Sequence, residues 1–224
     1  MVSVFIPTLG MSPALPALLS DLRSDSIVSD IVVGDNGMDS EAYDFVKHNC
    51  QSNDVTLLDQ RGVGFYTMWN QAIDRAASTS GKIAILNDDI RIPPRMISHL
   101  ENALVAHDLT LVCPDYQSSN DLLDTDTTSF RIEYVTGTYR HGGITGSAFL
   151  IDAKRAPIID ERFRIWYGDD DLVWKISKAG GKIAILRGLP LDHVGSVTVN
   201  STPWVPAAIR EDVSLWESLN RGPA

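Results

Sequence analysis

The sequence predicts an α/β fold: a Rossmann-like, mostly parallel central sheet flanked by helices. Two patterns and one total carry that prediction. In the first ninety residues, short continuously apolar runs alternate four times with helix-period segments, as strands covered on both faces do. Each run ends in polar or glycine residues: Thr8 and Gly10, Asp35 and Asn36, Arg61 and Gly62, Asp88 and Asp89. The composition, 44% hydrophobic and 21% charged over 224 residues, is that of a globular chain.

Val2 to Ile6 is an apolar strand stopped by Pro7, Thr8 and Gly10. Ser12-Pro13 reads as an N-cap and first-turn proline, with Leu15, Leu18, Leu19 and Leu22 as the apolar face of the helix. Ile31 to Val33 is the second strand, closed by the turn Gly34-Asp35-Asn36-Gly37, and a helix follows over about 40–50. Val55 to Leu58 is the third strand. Gly62 and Gly64 punctuate a loop, Phe65 to Ala77 is a helix, and Lys82 to Leu86 is the fourth strand. Pro93-Pro94 opens a helix with Met96, Ile97, Leu100, Ala103 and Leu104 on its buried face, and Leu109 to Cys113 is a further strand.

From Asp115 to Ser129 the chain turns polar, with the composition of a flexible loop. Phe130 to Val135 and Ile144 to Ile151 read as strands, a helix runs from GDDDL to about Ala179, and Lys182 to Leu186 is a strand. Pro203 and Pro206 break the chain before a last helix over about 207–219. The hexamer GKIAIL occurs at Gly81 and at Gly181, but the flanks differ, so both copies read as a glycine helix stop before a buried strand. No linker is visible. The chain reads as one domain over 1–224, with halves at 1–114 and 115–196 and a C-terminal segment at 197–224.

The net charge of −10 argues against a nucleic-acid backbone or an anionic membrane as the main partner. An anionic small ligand stays open where a metal or a local basic group offsets the repulsion. Cys50 and Cys113 lack metal-site spacing, MVSVFIPTLG lacks a basic leader region, and no run approaches the ~18 apolar residues of a membrane span. A cytoplasmic protein with reduced thiols and no membrane span is the expectation.

Three acidic or histidine clusters remain. ILNDDI ends a buried strand in Asp88 and Asp89, two anions that repel each other and lose solvation near a core. They read as a polar turn, or as oxygen ligands for Mg²⁺ or Mn²⁺ shared with a substrate's phosphates. Gly168-Asp169-Asp170-Asp171 follows Ile165-Trp166-Tyr167. The helix macrodipole accounts for one or two of these aspartates. A third beside two aromatics fits a general base with rings that stack on a sugar. His193, in LDHVGS, follows an apolar strand as a metal-ligand histidine would, and His141 beside Gly142-Gly143 could flank the pocket. Arg61-Gly62-Val63-Gly64 lacks dinucleotide-fingerprint spacing and no P-loop lysine pattern occurs, so NAD and ATP chemistry of those kinds is not supported.

In this order, from about residue 2 to 196, the segments resemble the family 2-like glycosyltransferases of the GT-A fold. VFIPTLG resembles the first-strand nucleotide motif, IVVGDNGMDS the second-strand end, and RGVGFYTMWNQAI the asparagine-containing region after the third. ILNDDI resembles the metal-binding "DXD" segment, the stretch through RIWYGDDDL the acceptor strand and "ED" region, and LDHVGS the metal-ligand histidine. The resemblance implies inverting transfer of a sugar from a nucleotide-diphospho-sugar, UDP first among the bases, to an acceptor hydroxyl. It implies Pro7, Thr8 and Asp35 around the nucleoside, with Arg61 and Asn70 nearby and Asp88 at the ribose or sugar. Asp89 and His193 would hold Mn²⁺ or Mg²⁺. Asp169 would be the base with Asp170 beside it, and Trp166, Tyr167 and Gly146 would face the acceptor. The stretches from Asp115 to Ser129 and after Val197 would order over the donor.

Some positions depart from the family pattern. Asn87 stands at the first acidic position of the metal motif, Gly168 replaces the usual glutamate, and Gln71 replaces a small residue. The base stays open by one position among Asp169, Asp170 and Asp171. The acceptor stays open among glycan, protein and small molecule, with lipid and nucleic acid disfavoured. A sugar-phosphate nucleotidyltransferase would carry a basic glycine-rich loop where PTLGMSPAL stands. A non-catalytic carbohydrate-binding protein of the same fold has no need to keep Asp89, Asp169 and His193 together.

Overall fold

The structure, a computed structural model, describes residues 1–37, 39–116, 129–135, 144, 146–193 and 202–219. Strand β1 (Val2–Thr8), helix α1 (Leu15–Ser24), β2 (Val28–Asp35), α2 (Ser40–Ser52), β3 (Thr56–Asp59), α3 (Phe65–Ala77) and β4 (Lys82–Leu86) realise the predicted alternation. The two-residue strand β5 (Ile90–Arg91), helix α4 (Met96–Ala106) and β6 (Leu111–Asp115) follow. Then come β7 (Arg131–Tyr134), β8 (Ala148–Asp152), α5 (Gly168–Lys178), β9 (Ile183–Pro190), the two-residue β10 (Asp192–His193) and α6 (Val205–Ser218).

One sheet of eight strands runs in the order β3-β2-β1-β4-β8-β6-β9-β7. The β3-β2-β1-β4 block is parallel, and β6 pairs with β9 in parallel. Strand β8 is antiparallel to both β4 and β6, and β7 is antiparallel to β9. Strand periodicity sends alternate side chains to opposite faces. Thus Val4, Ile6, Ala84 and Leu86 join Leu19, Ile97 and Leu100 on one side, while Phe5, Ile83 and Ile85 join Met68, Trp69, Phe149 and Ile176 on the other. Both faces are covered, which is why the strands read as unbroken apolar runs.

Three expectations need correction. Helix α1 starts at Leu15, with Ala14 at its cap and Pro16 in the first turn; Ser12 instead accepts the Ala14 N–H at 3.2 Å in the preceding turn. The strand expected from Ile144 starts at Ala148. The C-terminal segment is not wholly a mobile cover: α6 packs into the core through Val205, Ala208 and Trp216. The remaining expectations for a donor-covering loop, and for His141, fall mainly on 117–128, 136–143 and 194–201, outside the described residues.

Candidate active site

Register builds the site at the carboxyl edge of the sheet. Pairing of β1 with β2 sets Pro7 against Gly34 and Thr8 against Asp35, and pairing of β1 with β4 sets Phe5 against Ile85. Carried three residues on, the second register brings Asp88 to Thr8, whose hydroxyl donates to the Asp88 carboxylate at 2.5 Å. The same hydroxyl accepts the Gly10 N–H at 2.8 Å. Asp88 is buried, and burial raises its pKa to about 6; the Thr8 hydrogen bond opposes the shift and the Asp89 charge adds to it.

His193 reaches this edge through a ribbon of two-residue strands. In the antiparallel pair of β5 with β10, His193 lies opposite Ile90 and Asp192 opposite Arg91. The His193 ring nitrogen Nε2 stands 2.9 Å from Asp89 Oδ1, and the ring of Tyr116 lies 6.1 Å away. Just before this ribbon the pairing of β9 with β6 shifts register, from Leu186 opposite Pro114 to Pro190 opposite Asp115. Gly188 takes φ +87°, its N–H donates to Asp115 at 3.0 Å, and Arg187 bridges Asp115 at 2.8 Å and Glu133 at 2.7 Å.

A carboxylate oxygen and an imidazole nitrogen 2.9 Å apart have the spacing of neighbouring ligands on one small divalent ion. Metal–ligand distances of about 2.0–2.1 Å at right angles give nearly that separation. Among the described residues no group of three or more His, Cys, Asp or Glu forms a complete cage. As it stands the contact is a hydrogen bond; an ion held by these two residues would take its other positions from water or substrate oxygens, as Mg²⁺ and similar hard ions do.

At the end of β2, Asp35 is fully buried and accepts the Gly37 N–H at 2.9 Å. Arg61 lies 3.5 Å from Asp35 and is held bidentately by Asp59, with Nε at 2.9 Å and Nη2 at 2.5 Å. Asn70 does something other than expected. Its amide clasps the loop before α5, accepting the Ile159 N–H at 2.9 Å and donating to Ile159 O and Glu161, each at 3.0 Å. A nucleotide-binding role does not fit an amide engaged at both ends.

The three aspartates that open α5 separate by burial. Asp171 is fully buried, pairs with Lys175 at 2.9 Å and accepts the Asp160 N–H at 2.7 Å, so it is a structural anchor. Asp170 is 3% exposed. Asp169 is the partly accessible one, and it lies against Gly146: a Cβ built there would meet Asp169 Oδ2 at 2.7 Å. Ser147 O accepts the Asn87 N–H at 2.8 Å, so the same turn borders the Asn87–Asp89 segment. Gly168 departs from the family glutamate for a steric reason, because any Cβ would lie 2.2 Å from the buried ring of Tyr66. Trp166 is 39% exposed. Tyr167 is not: its ring is buried and stacked on Trp216 at 5.1 Å and 13°, which corrects the expected acceptor contact.

Sequence reasoning missed Asp212. This α6 residue is 1% exposed and accepts the N–H groups of Arg164, Ile165 and Trp166 at 2.9, 2.9 and 2.8 Å. The signal was present, since Val205, Ala208, Asp212 and Trp216 fall on one helical stripe and only one of them is charged. A groove of about 120 Å³ under α3, lined by Phe5, Val32, Leu58 and Ala72, lies apart from these carboxylates.

Residues 3–176 match the sequence profile of glycosyl transferase family 2. No curated protein sequence matches. The fold matches the mannosyltransferase PcManGT from Pyrobaculum calidifontis, in complex with GDP-Man and Mn²⁺, at TM-score 0.67 and 14% identity over 100% of this chain and 65% of that one. It matches S. aureus TarS 1-349, in complex with UDP, at 0.60 and 13% identity over 85% and 59% of the two chains. It matches glucosyl-3-phosphoglycerate synthase from Mycobacterium tuberculosis, in complex with Mn²⁺, UDP and glucosyl-3-phosphoglycerate, at 0.61 and 12% identity over 100% and 81%. This chain thus spans less than two thirds of the length of the first two.

Proposed function

The chain belongs to glycosyl transferase family 2, and we propose that it transfers one sugar from a nucleotide-diphosphate donor to an acceptor hydroxyl with inversion at the anomeric carbon. The observation that carries this reading is convergence at one sheet edge. The Thr8–Asp88 pair, the Asp89–His193 pair and Asp169 beside Gly146 come from five separate chain segments. Three structural relatives hold a nucleotide or nucleotide sugar, and two of them hold Mn²⁺.

In this proposal Pro7, Thr8, Asp35 and Arg61 border the nucleoside and Asp88 the ribose or sugar. Asp89 and His193 hold Mn²⁺ or Mg²⁺, which when bound offsets charge on the diphosphate. Asp169 accepts the proton of the acceptor hydroxyl as that oxygen bonds to the anomeric carbon. The bond from that carbon to the diphosphate oxygen breaks on the opposite face, so the configuration inverts. Gly146 leaves room for the carboxylate, and Trp166 offers an apolar face to the acceptor. The protein's own charge of −10 makes a divalent ion the natural bridge to an anionic donor.

Calorimetry with UDP, GDP and dTDP, each with and without Mn²⁺, tests the donor half; a ligand of the native state also raises the melting temperature by mass action. UDP is expected to bind with Mn²⁺ and to lose most of its affinity with EDTA or in Asp89→Ala. Asp169→Asn is expected to keep that binding and lose turnover by about 100-fold or more, as removal of a general base does. If no diphosphate binds with any metal, the donor reading fails.

A further inference from the structure

We propose that Asp212 is a positioning residue for Asp169, acting through the backbone of residues 164–167. The proposal rests on the reading of Asp169 as the base, and it concerns a residue beyond the family-matched segment, which ends at 176. Asp212 Oδ1 accepts the Arg164 N–H, and Oδ2 accepts those of Ile165 and Trp166. Successive N–H groups that converge in this way form an anion-binding nest. Here the protein's own carboxylate fills the nest, and the Arg164 guanidinium goes to Glu211 at 2.9 Å.

The segment held in this way is strained and sits directly before the catalytic turn. Tyr167 takes φ +66°, a left-handed conformation that a bulky side chain adopts only when its surroundings impose it. Its ring stacks on Trp216, one turn of α6 beyond Asp212. On the other side, the Tyr66 hydroxyl donates to Ile165 O at 3.0 Å, and its ring lies against Gly168. The residue after Gly168 is Asp169. Helix α6 and helix α3 therefore hold this segment from two sides, and α5 starts from the geometry they impose. A plain buttress would need only apolar contact. Three charge-assisted hydrogen bonds fix the direction of the peptides as well.

Asp212→Asn in the full chain tests this, because an amide keeps the shape but offers one acceptor oxygen where the carboxylate offers two. Three readouts are needed: amide hydrogen exchange, UDP binding with Mn²⁺, and steady-state kinetics. Exchange at 164–167 is expected to rise by about tenfold or more while amides of β1 and β4 hold. UDP affinity and donor KM are expected to stay within about twofold, and kcat to fall about 10- to 100-fold, the penalty of misplacing a catalytic group by about 1 Å. Wild-type kcat in the variant overturns the proposal, and so does a loss of UDP affinity in step with kcat. If the variant does not fold, Trp216→Leu is expected to give the same split between kcat and KM to a smaller extent, and an unchanged kcat there overturns the proposal. A wild-type chain that turns over no nucleotide sugar overturns the reading of Asp169 instead.

Discussion

Asp88 carries a charge that folding does not need. Its buried carboxyl titrates near pH 6, well above the ordinary 3.8, chiefly because burial disfavours the anion. Between about pH 4 and pH 6 the folded protein therefore binds a proton that the unfolded chain has lost, so stability falls as pH rises through that window. Above it the full cost is present, roughly 3 kcal/mol. Asp88→Asn keeps the Thr8 hydroxyl as a donor and removes the anion. In EDTA it is expected to be more stable than wild type by about 1–3 kcal/mol at pH 8, with the gain fading below pH 6 and gone near pH 4. Urea melts at three pH values measure this, and a variant less stable than wild type at pH 8 would refute it. The acidic edge itself was legible, because two carboxylates at the end of an apolar strand lack a packing reason. The order of merit among Asp169, Asp170 and Asp171 was not, because it depends on the rotational phase of α5 against the core. One clue was readable: Asp171 stands four residues before Lys175, the spacing of a helical ion pair. The burial of Tyr167 and the role of Asp212 were hidden because the contact between their segments spans more than forty residues.

At the scale of elements, the long amphipathic segments read well and the short connections did not. Helix α3 and strand β4 have the expected bounds, and the five residues expected on the buried face of α4 are those buried. Strand direction did not show, because β8 is as apolar as β4 and β6, to which it runs antiparallel. Nor did the ribbon of β5 with β10, since two residues have no periodicity to read. That ribbon follows the register shift in β9, where Arg187, 17% exposed, ties Asp115 to Glu133. Its hydrogen bonds hold Glu133 below the ordinary carboxylate range. Arg187→Met takes that guanidinium from buried Asp115. Breaking a fully buried pair costs about 3–5 kcal/mol, so a loss of about 2–3 kcal/mol is expected at this partly exposed one. Because β10 follows directly, the Mn²⁺-dependent part of UDP affinity is expected to fall about tenfold, while metal-free binding stays unchanged. Paired calorimetry with Mn²⁺ and with EDTA checks this. A stability loss with the metal dependence intact would separate the clamp from the His193 ribbon.

At the scale of the molecule, the halves at 1–114 and 115–196 share one sheet. Strand β8, from the second half, lies between β4 and β6 of the first, in register from Lys82 opposite Asp152 to Leu86 opposite Ala148. Strand β6 has its other edge covered by β9. A fragment ending at 114 would therefore leave β4 with one open edge and β6 with two, each a row of unpaired backbone groups. It would also strip one face of its core: Trp69 loses Phe149, whose ring lies 5.3 Å away, together with Phe163, Leu172 and Ile176 from α5 and the loop before it. The edge proposed to bind the nucleotide, legible in the first ninety residues, is thus not a separate domain, because its supporting sheet is completed by β8, more than thirty positions beyond residue 114. The 1–114 fragment is expected to lack a cooperative urea transition and a near-ultraviolet dichroism signal from Trp69, and to bind no UDP. The full chain is expected to unfold in one transition followed alike by fluorescence and far-ultraviolet dichroism. A fragment that melts cooperatively and binds UDP would make the first half an autonomous unit. The continuity of the sheet across β8 argues for the opposite result.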